Sequence, residues 1–339
     1  MNTLSCRARG VIAYGYNDFP VLAGQLDLRG DNMPALAPTP LQIHHDLADY
    51  GDVAGDAALR ARLAELFGVG ADQVLITAGG SEALSLALLC IADPGAPVHI
   101  PRPAFPGFEQ LAGLLGLSVV SYPVPGPVPV RGRTPLVVCT PHNPTGLVTA
   151  PCGAGGGDGW VIWDLSHTSP ASDLLTAFTT ELGPADIVVY SLSKLLRLPG
   201  ARVGCLIATD LDLIAAASRA KTHLSMSTSQ PGQHAALRVL RNPETAEELA
   251  RRTARLAARR KRIMEAIGSS QSLRADPALD GTHLYVHTHD GSDAWQRLQQ
   301  AGVVGIPGPV FHGQTSAVRL CIAQPSNVID QAATRIQAL

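Results

Sequence analysis

The chain has 339 residues. A single hydrophobic core rarely supports a chain of this length, so we expect two domains or one large α/β domain with a smaller lobe. Its 26 basic and 28 acidic residues are spread along the chain and leave a formal net charge of −2, which excludes the footprint of a nucleic-acid or membrane partner and favours a small molecule. The six cysteines have no metal-ligand spacing and the start has no signal-like apolar stretch, so we predict no bound metal and a cytoplasmic location.

The stretch from residue 55 to about residue 210 alternates between helical and strand-like patterns. Apolar spacing predicts helices over 56–67 and 81–91 and strands over 74–77, 98–100, 136–139, 160–163, 187–190 and 203–208. This alternation is typical of a mainly parallel sheet that is covered by helices on both faces. Ligands bind such sheets at the carboxyl ends of the strands, so the polar residues that follow the strands are the candidate site residues.

The residues after about 240 predict a second, smaller α+β part. A long helix begins at Pro243 with Asn242 as its cap, and we interpret its basic run over 251–262 as a solvated face. Strands over 284–287 and 317–323 and a helix over 295–301 follow. We therefore predict an N-terminal arm over 1–45, a large domain over 46–240 and a small domain over 241–339.

Lys194 is the best placed of only three lysines. It follows the strand-like run 187–190 and precedes Arg202, with hydroxyl residues beside it. A lysine amine forms a Schiff base when it is partly deprotonated and held in place, and the end of a buried strand favours both. Lys221 lies in a polar stretch after a helix and Lys261 in an arginine-rich run. The alternative is that Lys194 is an ordinary surface lysine.

Three other predicted strands also end in polar residues or turns. Gly80 and Ser81 open a helix after the strand 74–77, where backbone amides and the positive helix end can bind a phosphate, although the same residues suit a tight turn. Asn143 lies in a rigid Asn-Pro-Thr-Gly turn, and Asp164 is an acid at the tip of an apolar strand. Taken alone, an aspartate such as Asp164 at a strand end is more often a cap or turn residue.

The order of these motifs resembles that of the fold-type I pyridoxal phosphate enzymes. Asn-Pro-Thr-Gly at 143–146, a strand-end aspartate, Ser-x-Ser-Lys at 191–194 and Gly-x-Arg-x-Gly at 200–204 follow one another along the chain. The set is similar to that of the class I/II aminotransferases, most closely their histidinol-phosphate-aminotransferase-like branch. The resemblance implies an α/β aspartate aminotransferase-like fold with a mainly parallel central sheet and a smaller α+β C-terminal domain. It also implies pyridoxal 5'-phosphate and a homodimer with shared active sites.

The family roles carry over to matching positions of this chain. Lys194 would hold the cofactor as an aldimine and move a proton at the substrate α-carbon, and the resemblance thus implies an aminotransferase acting on an α-amino acid and a 2-oxo acid. Asp164 would pair with the pyridine nitrogen and Asn143 with the phenolic oxygen. The remaining implied roles are Gly80, Ser81, Ser191 and Arg202 on the phosphate, Phe105 stacked on the ring, Arg319 on the substrate α-carboxylate, and Tyr50 on the phosphate of the neighbouring subunit.

The chain departs from the family pattern near Asp164. His167 stands where the family has a tyrosine that shares the phenolic oxygen with the asparagine. The arm also resembles the segment that covers the substrate, which makes Gly30 and Asn32 candidate pocket residues. Acids of the arm, among them Asp31, are expected to be solvated loop acids, with the open alternative that one of them receives a cationic substrate side chain.

Two other functions stay open at this point. The same cofactor supports a decarboxylase of the threonine-phosphate type, or a specialised cyclase, lyase or oxidase acting on an unusual amino acid, because the bond that breaks depends on its alignment with the ring. A non-catalytic regulator of the same superfamily is the third possibility. The sequence shows no basic helix-turn-helix pattern, which argues against such a regulator.

Overall fold

The helices and strands of the protein were located in a computed structural model. It describes residue 7 and residues 18–31, 50–151, 157–169 and 172–339. The strands are β1 (Leu26–Asp27), β2 (Val74–Thr77), β3 (Pro97–Arg102), β4 (Ser118–Pro123), β5 (Leu136–Cys139), β6 (Val161–Asp164), β7 (Asp186–Ser191), β8 (Gly204–Ala208), β9 (Leu273–Ala275), β10 (His283–Thr288), β11 (Val303–Val304), β12 (Ile306–Pro307) and β13 (Ala317–Cys321). The α-helices are α1 (Ala57–Phe67), α2 (Gly80–Ile91), α3 (Gly107–Leu114), α4 (Asp173–Glu181), α5 (Leu192–Leu195), α6 (Leu211–Leu224), α7 (Gln230–Arg241), α8 (Pro243–Ser269), α9 (Ala294–Gln300) and α10 (Ser326–Gln337).

Seven strands form the large sheet, in the order β2-β8-β7-β6-β5-β3-β4. Strands β3 to β7 pair in parallel, and β8 runs antiparallel to both of its neighbours. Alternate residues of a strand enter different cores: Val138 packs in the cluster on one face and Val137 in the cluster on the other. A strand that is buried on both faces is apolar throughout. The predicted sheet, mainly parallel and covered on both faces, is therefore confirmed.

A second, four-stranded sheet is built from the C-terminal residues, in the antiparallel order β12-β13-β10-β9. Its core contains Leu284, Leu320 and residues of α8 and α10. Leu28 of the N-terminal segment packs in the same core, and β1 pairs in parallel with β11. The small α+β part is thus as predicted. The boundaries at 45 and 240 stay predictions.

Two sequence expectations about charged residues were wrong. Lys221 lies inside α6 with no exposed surface, and its amine donates to the Met226 carbonyl, so it is not in a polar stretch after the helix. Asn242 caps α8 as predicted, but the basic run of this helix is not a purely solvated face, because Arg252 and Arg259 are only 7% and 9% exposed. No helix among the described residues is both long and apolar enough to cross a membrane.

Candidate active site

A cavity of about 430 Å³ lies at the carboxyl ends of β5, β6 and β7. The sheet brings the ends of these parallel strands to one edge, where the chain turns into loops and helix starts. Every predicted site residue that the structure describes, apart from Tyr50, lines this cavity, namely Gly30, Gly80, Ser81, Phe105, Asn143, Asp164, His167, Ser191, Lys194, Arg202 and Arg319. Asn32 lies outside the described residues.

Lys194 projects into the cavity from α5, a single turn that starts where β7 ends. Its side chain is exposed to the cavity, but the surrounding protein displaces part of the water that would solvate the amine. This loss of solvation lowers the pKa of Lys194, and the positive charge of Arg319 adds to the effect. A lowered pKa raises the share of free amine, which is the nucleophilic form.

Asp164 ends β6 and is buried beside Lys194. Its Oδ1 accepts a hydrogen bond of 2.9 Å from the backbone amide of Ser166. Burial raises the pKa of Asp164, while the bond from Ser166 and the charge of Lys194 oppose that rise. A buried carboxylate is costly unless it meets a cation or further donors. The site therefore favours a ligand that brings a protonated nitrogen to this carboxyl.

An anion cradle lies at the N-terminus of α2. Gly79 precedes this helix with a φ of 85°, and a Cβ there would lie 2.7 Å from Nη2 of Arg202, so glycine lets the guanidinium come close. The first amides of α2 and the Arg202 guanidinium are positive groups. Ser81, Ser191 and Ser193 also line the cavity and add hydroxyls to it. Within the described residues, the buried Ser193 Oγ has no hydrogen-bond partner, which indicates a ligand oxygen there.

Arg319 and Asn143 form a hydrogen-bonded pair in the same cavity. Arg319, on β13, is 3% exposed and donates from Nη1 to Oδ1 of Asn143 at 3.0 Å. Its Nη2 donates to the backbone carbonyl of Arg29, and its guanidinium lies 4.8 Å from the centre of the Phe311 ring. Because Oδ1 of Asn143 already accepts, its Nδ2 is the group that can donate to a ligand.

Three histidines lie near this pair: His142 and His283 are buried, and His167 is partly buried. His167 stacks edge to face on His283, with ring centres 4.7 Å apart. Burial is the main reason that the pKa of His167 falls to about 3, and Lys194, Arg319 and His142 add to it. Burial likewise lowers the pKa of His142 to about 3 and that of His283 well below its ordinary value. The rings of His167 and His283, whose pKa values the charge of Lys194 also lowers, are therefore neutral near pH 7.

The remaining predicted site residues differ in their exposure. Phe105 lines the cavity and packs edge to face on Phe108, with ring centres 5.6 Å apart. Gly30 lies at the cavity edge, where its carbonyl accepts from Gln324. Tyr50 is 82% exposed and does not line the cavity of its own chain.

Sequence reasoning missed a charged group at the edge of the cavity. Asp31 is not a solvated acid: it accepts hydrogen bonds from Arg197 and from Arg252. Arg252 lies in the basic run of α8 and lines the cavity with Leu249, Thr253 and Leu256, which occupy one face of the helix. The position of Arg197, three residues after Lys194, was the available signal. His283 was missed as well, and no local pattern marks it.

A family model described as aminotransferase class I and II matches residues 11–336. A histidinol-phosphate aminotransferase of Xanthomonas euvesicatoria is 31% identical over 73% of this chain and 72% of its own. A capreomycidine synthase of Streptomyces vinaceus is 27% identical over 81% of this chain and 76% of its own. The fold is similar to that of an α-aminoadipate aminotransferase from Thermus thermophilus, with a TM-score of 0.81 and 23% identity over 99% and 96% of the two chains.

Proposed function

The chain belongs to the class I and II aminotransferases, and on that premise we propose that it transfers an amino group from an α-amino acid to a 2-oxo acid with pyridoxal 5'-phosphate held on Lys194. One observation carries the proposal. Lys194, with its lowered pKa, opens into the same cavity as Asp164, the Asn143–Arg319 pair and the anion cradle of α2. No other lysine of the described chain lines this cavity.

The residues present fit the polar groups of this cofactor. Gly80, Ser81, Ser191 and Arg202 would hold the phosphate, and the buried Ser193 Oγ, which has no partner among the described residues, lines the same cavity. The Asp164 carboxyl, whose pKa burial raises, would be stabilised by a protonated pyridine nitrogen. Nδ2 of Asn143 and the neutral ring of His167 would serve the phenolic oxygen, and Phe105 would stack on the ring.

Lys194 and Asp164 would have separate roles in the reaction. When bound, pyridoxal phosphate supplies a ring that accepts the electron pair released at the substrate α-carbon. Nζ of Lys194 takes the proton from that carbon and returns one to the product, a task that suits an amine with a lowered pKa. Asp164 would keep the ring nitrogen protonated, which its burial beside that nitrogen favours.

Arg319 would bind the carboxylate of the substrate. Its planar guanidinium is fixed by Asn143, by the Arg29 carbonyl and by the Phe311 ring, which leaves an oriented cation beside Lys194. The Xanthomonas relative is named for histidinol phosphate, and a phosphate is an anion that a guanidinium can also hold. Histidinol phosphate therefore belongs in the donor panel beside α-amino acids.

The active form would be a homodimer with shared sites. Tyr50 is 82% exposed and does not line the cavity of its own chain, so its phenol is available to a second subunit. A phosphate contact from Tyr50 would complete the cradle from across a two-fold axis. Sedimentation gives the mass of the assembly, and a Tyr50→Phe variant would bind the cofactor more weakly if the contact forms.

The test is a half-reaction followed by absorbance. An amino donor should bleach the band of the lysine-bound cofactor, and a 2-oxo acid alone should restore it. A Lys194→Ala variant is the matched control and should show neither change, whereas Lys261→Ala, on an exposed lysine, should behave as wild type. Steady turnover of an amino acid without any 2-oxo acid would contradict transamination.

That contradictory result would favour the second candidate, another pyridoxal phosphate reaction. Its specific support is His167, which takes the place of the family's tyrosine, together with the relative that is named a synthase rather than an aminotransferase. A neutral imidazole donates to the phenolic oxygen through a different atom and geometry than a phenol does. Product analysis in the acceptor-free reaction would distinguish loss of CO₂, elimination and ring closure.

A further inference from the structure

Asp31 bridges two arginines that come from distant parts of the chain. One carboxylate oxygen accepts from Nη1 of Arg197, and the other accepts from Nη2 of Arg252 at 2.8 Å. The side chains of Arg197 and Arg252 are 14% and 8% exposed and that of Asp31 is 22% exposed, so the group is largely withdrawn from solvent. Hydrogen bonds between charged groups in such places are stronger than exposed ion pairs.

The segment that carries Asp31 is held at three consecutive residues. The Arg29 carbonyl accepts from Arg319 at 2.9 Å, the Gly30 carbonyl accepts from Gln324, and the Asp31 carboxylate completes the series. Arg29, Gly30 and Asp31 all line the cavity. These three residues thus form a wall of the site. Arg29 and Gly30 are held through their backbone carbonyls, and only Asp31 is held through its side chain.

Arg197 connects this wall to the lysine. It lies three residues after Lys194 and has a φ of 55°, in the left-handed region that favours glycine. A non-glycine residue persists there only when its surroundings fix it, at a cost on the order of 1–3 kcal/mol. The bond to Asp31 is such a fixing contact. Because Asp31 is satisfied by two cations of the protein, it does not have to receive a cationic substrate side chain.

We propose that Asp31 is a positioning residue that ties the substrate-covering segment to the turn carrying Lys194 and to the α8 wall through Arg197 and Arg252. It would stabilise this wall of the cavity without touching the reacting atoms. The proposal rests on the proposed function for what the cavity binds, but its contacts are independent of the reaction.

The test compares Asp31→Asn with Asp31→Glu and with a control. Asp290→Asn is the matched control, because Asp290 also pairs with an arginine but lies on the surface away from the cavity. In Asp31→Asn we expect the KM of the amino donor to rise about tenfold with kcat within about twofold, since a wall contact is lost equally from the substrate complex and the transition state. Asp31→Glu should recover most of the KM, and the control should match wild type.

A spectroscopic readout separates this role from general loosening. Asp31 is an anion near Lys194, so its removal should shift the pH titration of the bound cofactor's absorbance downward by about half a unit. Arg252→Met, which removes a cation instead, should also raise KM but shift the titration upward. The positioning role is supported if the melting temperatures of the two variants fall by the same amount while their cofactor titrations shift in opposite directions. Titration shifts in the same direction in both variants would overturn it.

A third measurement does not need the cofactor at all. Amide hydrogen exchange of the peptide that spans 26–31 should accelerate in Asp31→Asn and stay at the wild-type rate in Asp290→Asn. If wild type transaminates while KM and exchange are unchanged in Asp31→Asn, this inference fails and the proposed function stands. If exchange accelerates but wild type binds no cofactor at Lys194, the proposed function fails and the anchoring role of Asp31 stands.

Discussion

Loss of solvation shifts the pKa values of Lys194 and Asp164 in opposite directions. Burial lowers the pKa of the amine and raises the pKa of the carboxyl, so each is pushed toward its neutral form. The amine gains nucleophilicity from this change. The carboxyl gains stability only when a cation arrives, and a protonated ring nitrogen is such a cation.

The Asp164→Asn variant tests whether the carboxylate of Asp164 is needed to keep the pyridine nitrogen protonated. An amide cannot keep the pyridine nitrogen protonated, so we expect kcat to fall about tenfold to hundredfold, which corresponds to the loss of a charged hydrogen bond of about 1.5–3 kcal/mol. Single-turnover absorbance measures the rate of the half-reaction. Asp186→Asn is no suitable control, because Asp186 pairs with Arg131 in the core, whereas the surface variant Asp290→Asn is. An unchanged half-reaction in Asp164→Asn would refute the role.

At the scale of elements, the start of α2 matters most. The positive φ of Gly79 and the left-handed Arg202, with a φ of 51°, let the guanidinium lie against the first turn of the helix, and Gly204 leaves room for this approach. A Cβ on Gly204 would lie 2.7 Å from backbone atoms of Gly79 and Tyr190. Small residues at these positions therefore keep the cradle beside the start of β8 compact.

A pair of glycine variants separates backbone strain from loss of the cradle. Gly79→Ala adds strain at a φ of 85° and places its Cβ 2.7 Å from Arg202, so the guanidinium must move. Gly95→Ala adds strain at a φ of 90° with nothing within 4 Å. We expect both variants to lose about 1 kcal/mol of unfolding free energy, but only Gly79→Ala to weaken cofactor binding, by about tenfold. Equal dissociation constants would rule out the cradle.

The sequence predicted the elements whose signal is local. The runs over 74–77 and 136–139 coincide with β2 and β5, because a strand buried on both faces must be apolar along its whole length. Site residues at the ends of such strands could be predicted in the same way. The contacts of Asp31 could not, since its partners lie 166 and 221 residues away.

The buried part of α8 was unpredictable for a related reason. Its helical period and its Asn242 cap are local and were predicted. Which face is buried depends on the cavity wall and on Asp31, and an arginine stem can pack on apolar residues while its head finds an anion. Arg252 looks like its solvated neighbours in the sequence but differs from them in the structure.

At the scale of the whole molecule, the site depends on both sheets and on the N-terminal segment. His283 and Arg319 come from the small sheet, His167 from the loop after β6, Lys194 from α5 after β7, and Gly30 from the segment that pairs with β11. The two sheets meet at the His167–His283 stack. Acid that charges these rings should therefore disrupt the packing of one part on the other.

We predict a steep loss of stability in acid. His142 and His167 have folded pKa values of about 3, and that of His283 is lowered too. Unfolded imidazoles titrate at about 6.5, so below that pH the unfolded chain binds more protons and the free energy of unfolding falls by about 1.4 kcal/mol per pH unit for each histidine. Urea unfolding from pH 7 to pH 5 measures the slope.

Two variants assign that slope to buried rings. His283→Gln should reduce the pH dependence, while His289→Gln, at an exposed position, should leave it as in wild type. A stability that is flat from pH 7 to pH 5 would show that the rings are solvated or charged in the folded protein.

Covalent mapping of the cofactor tests the central claim most directly. Borohydride reduction of the protein loaded with pyridoxal phosphate fixes the lysine link irreversibly, and peptide mapping then locates it. The account predicts a pyridoxyl group on Lys194 and none on Lys221, whose amine is bound inside α6, or on the exposed Lys261. A pyridoxyl group on either of those two lysines, or on none of the three, would contradict it.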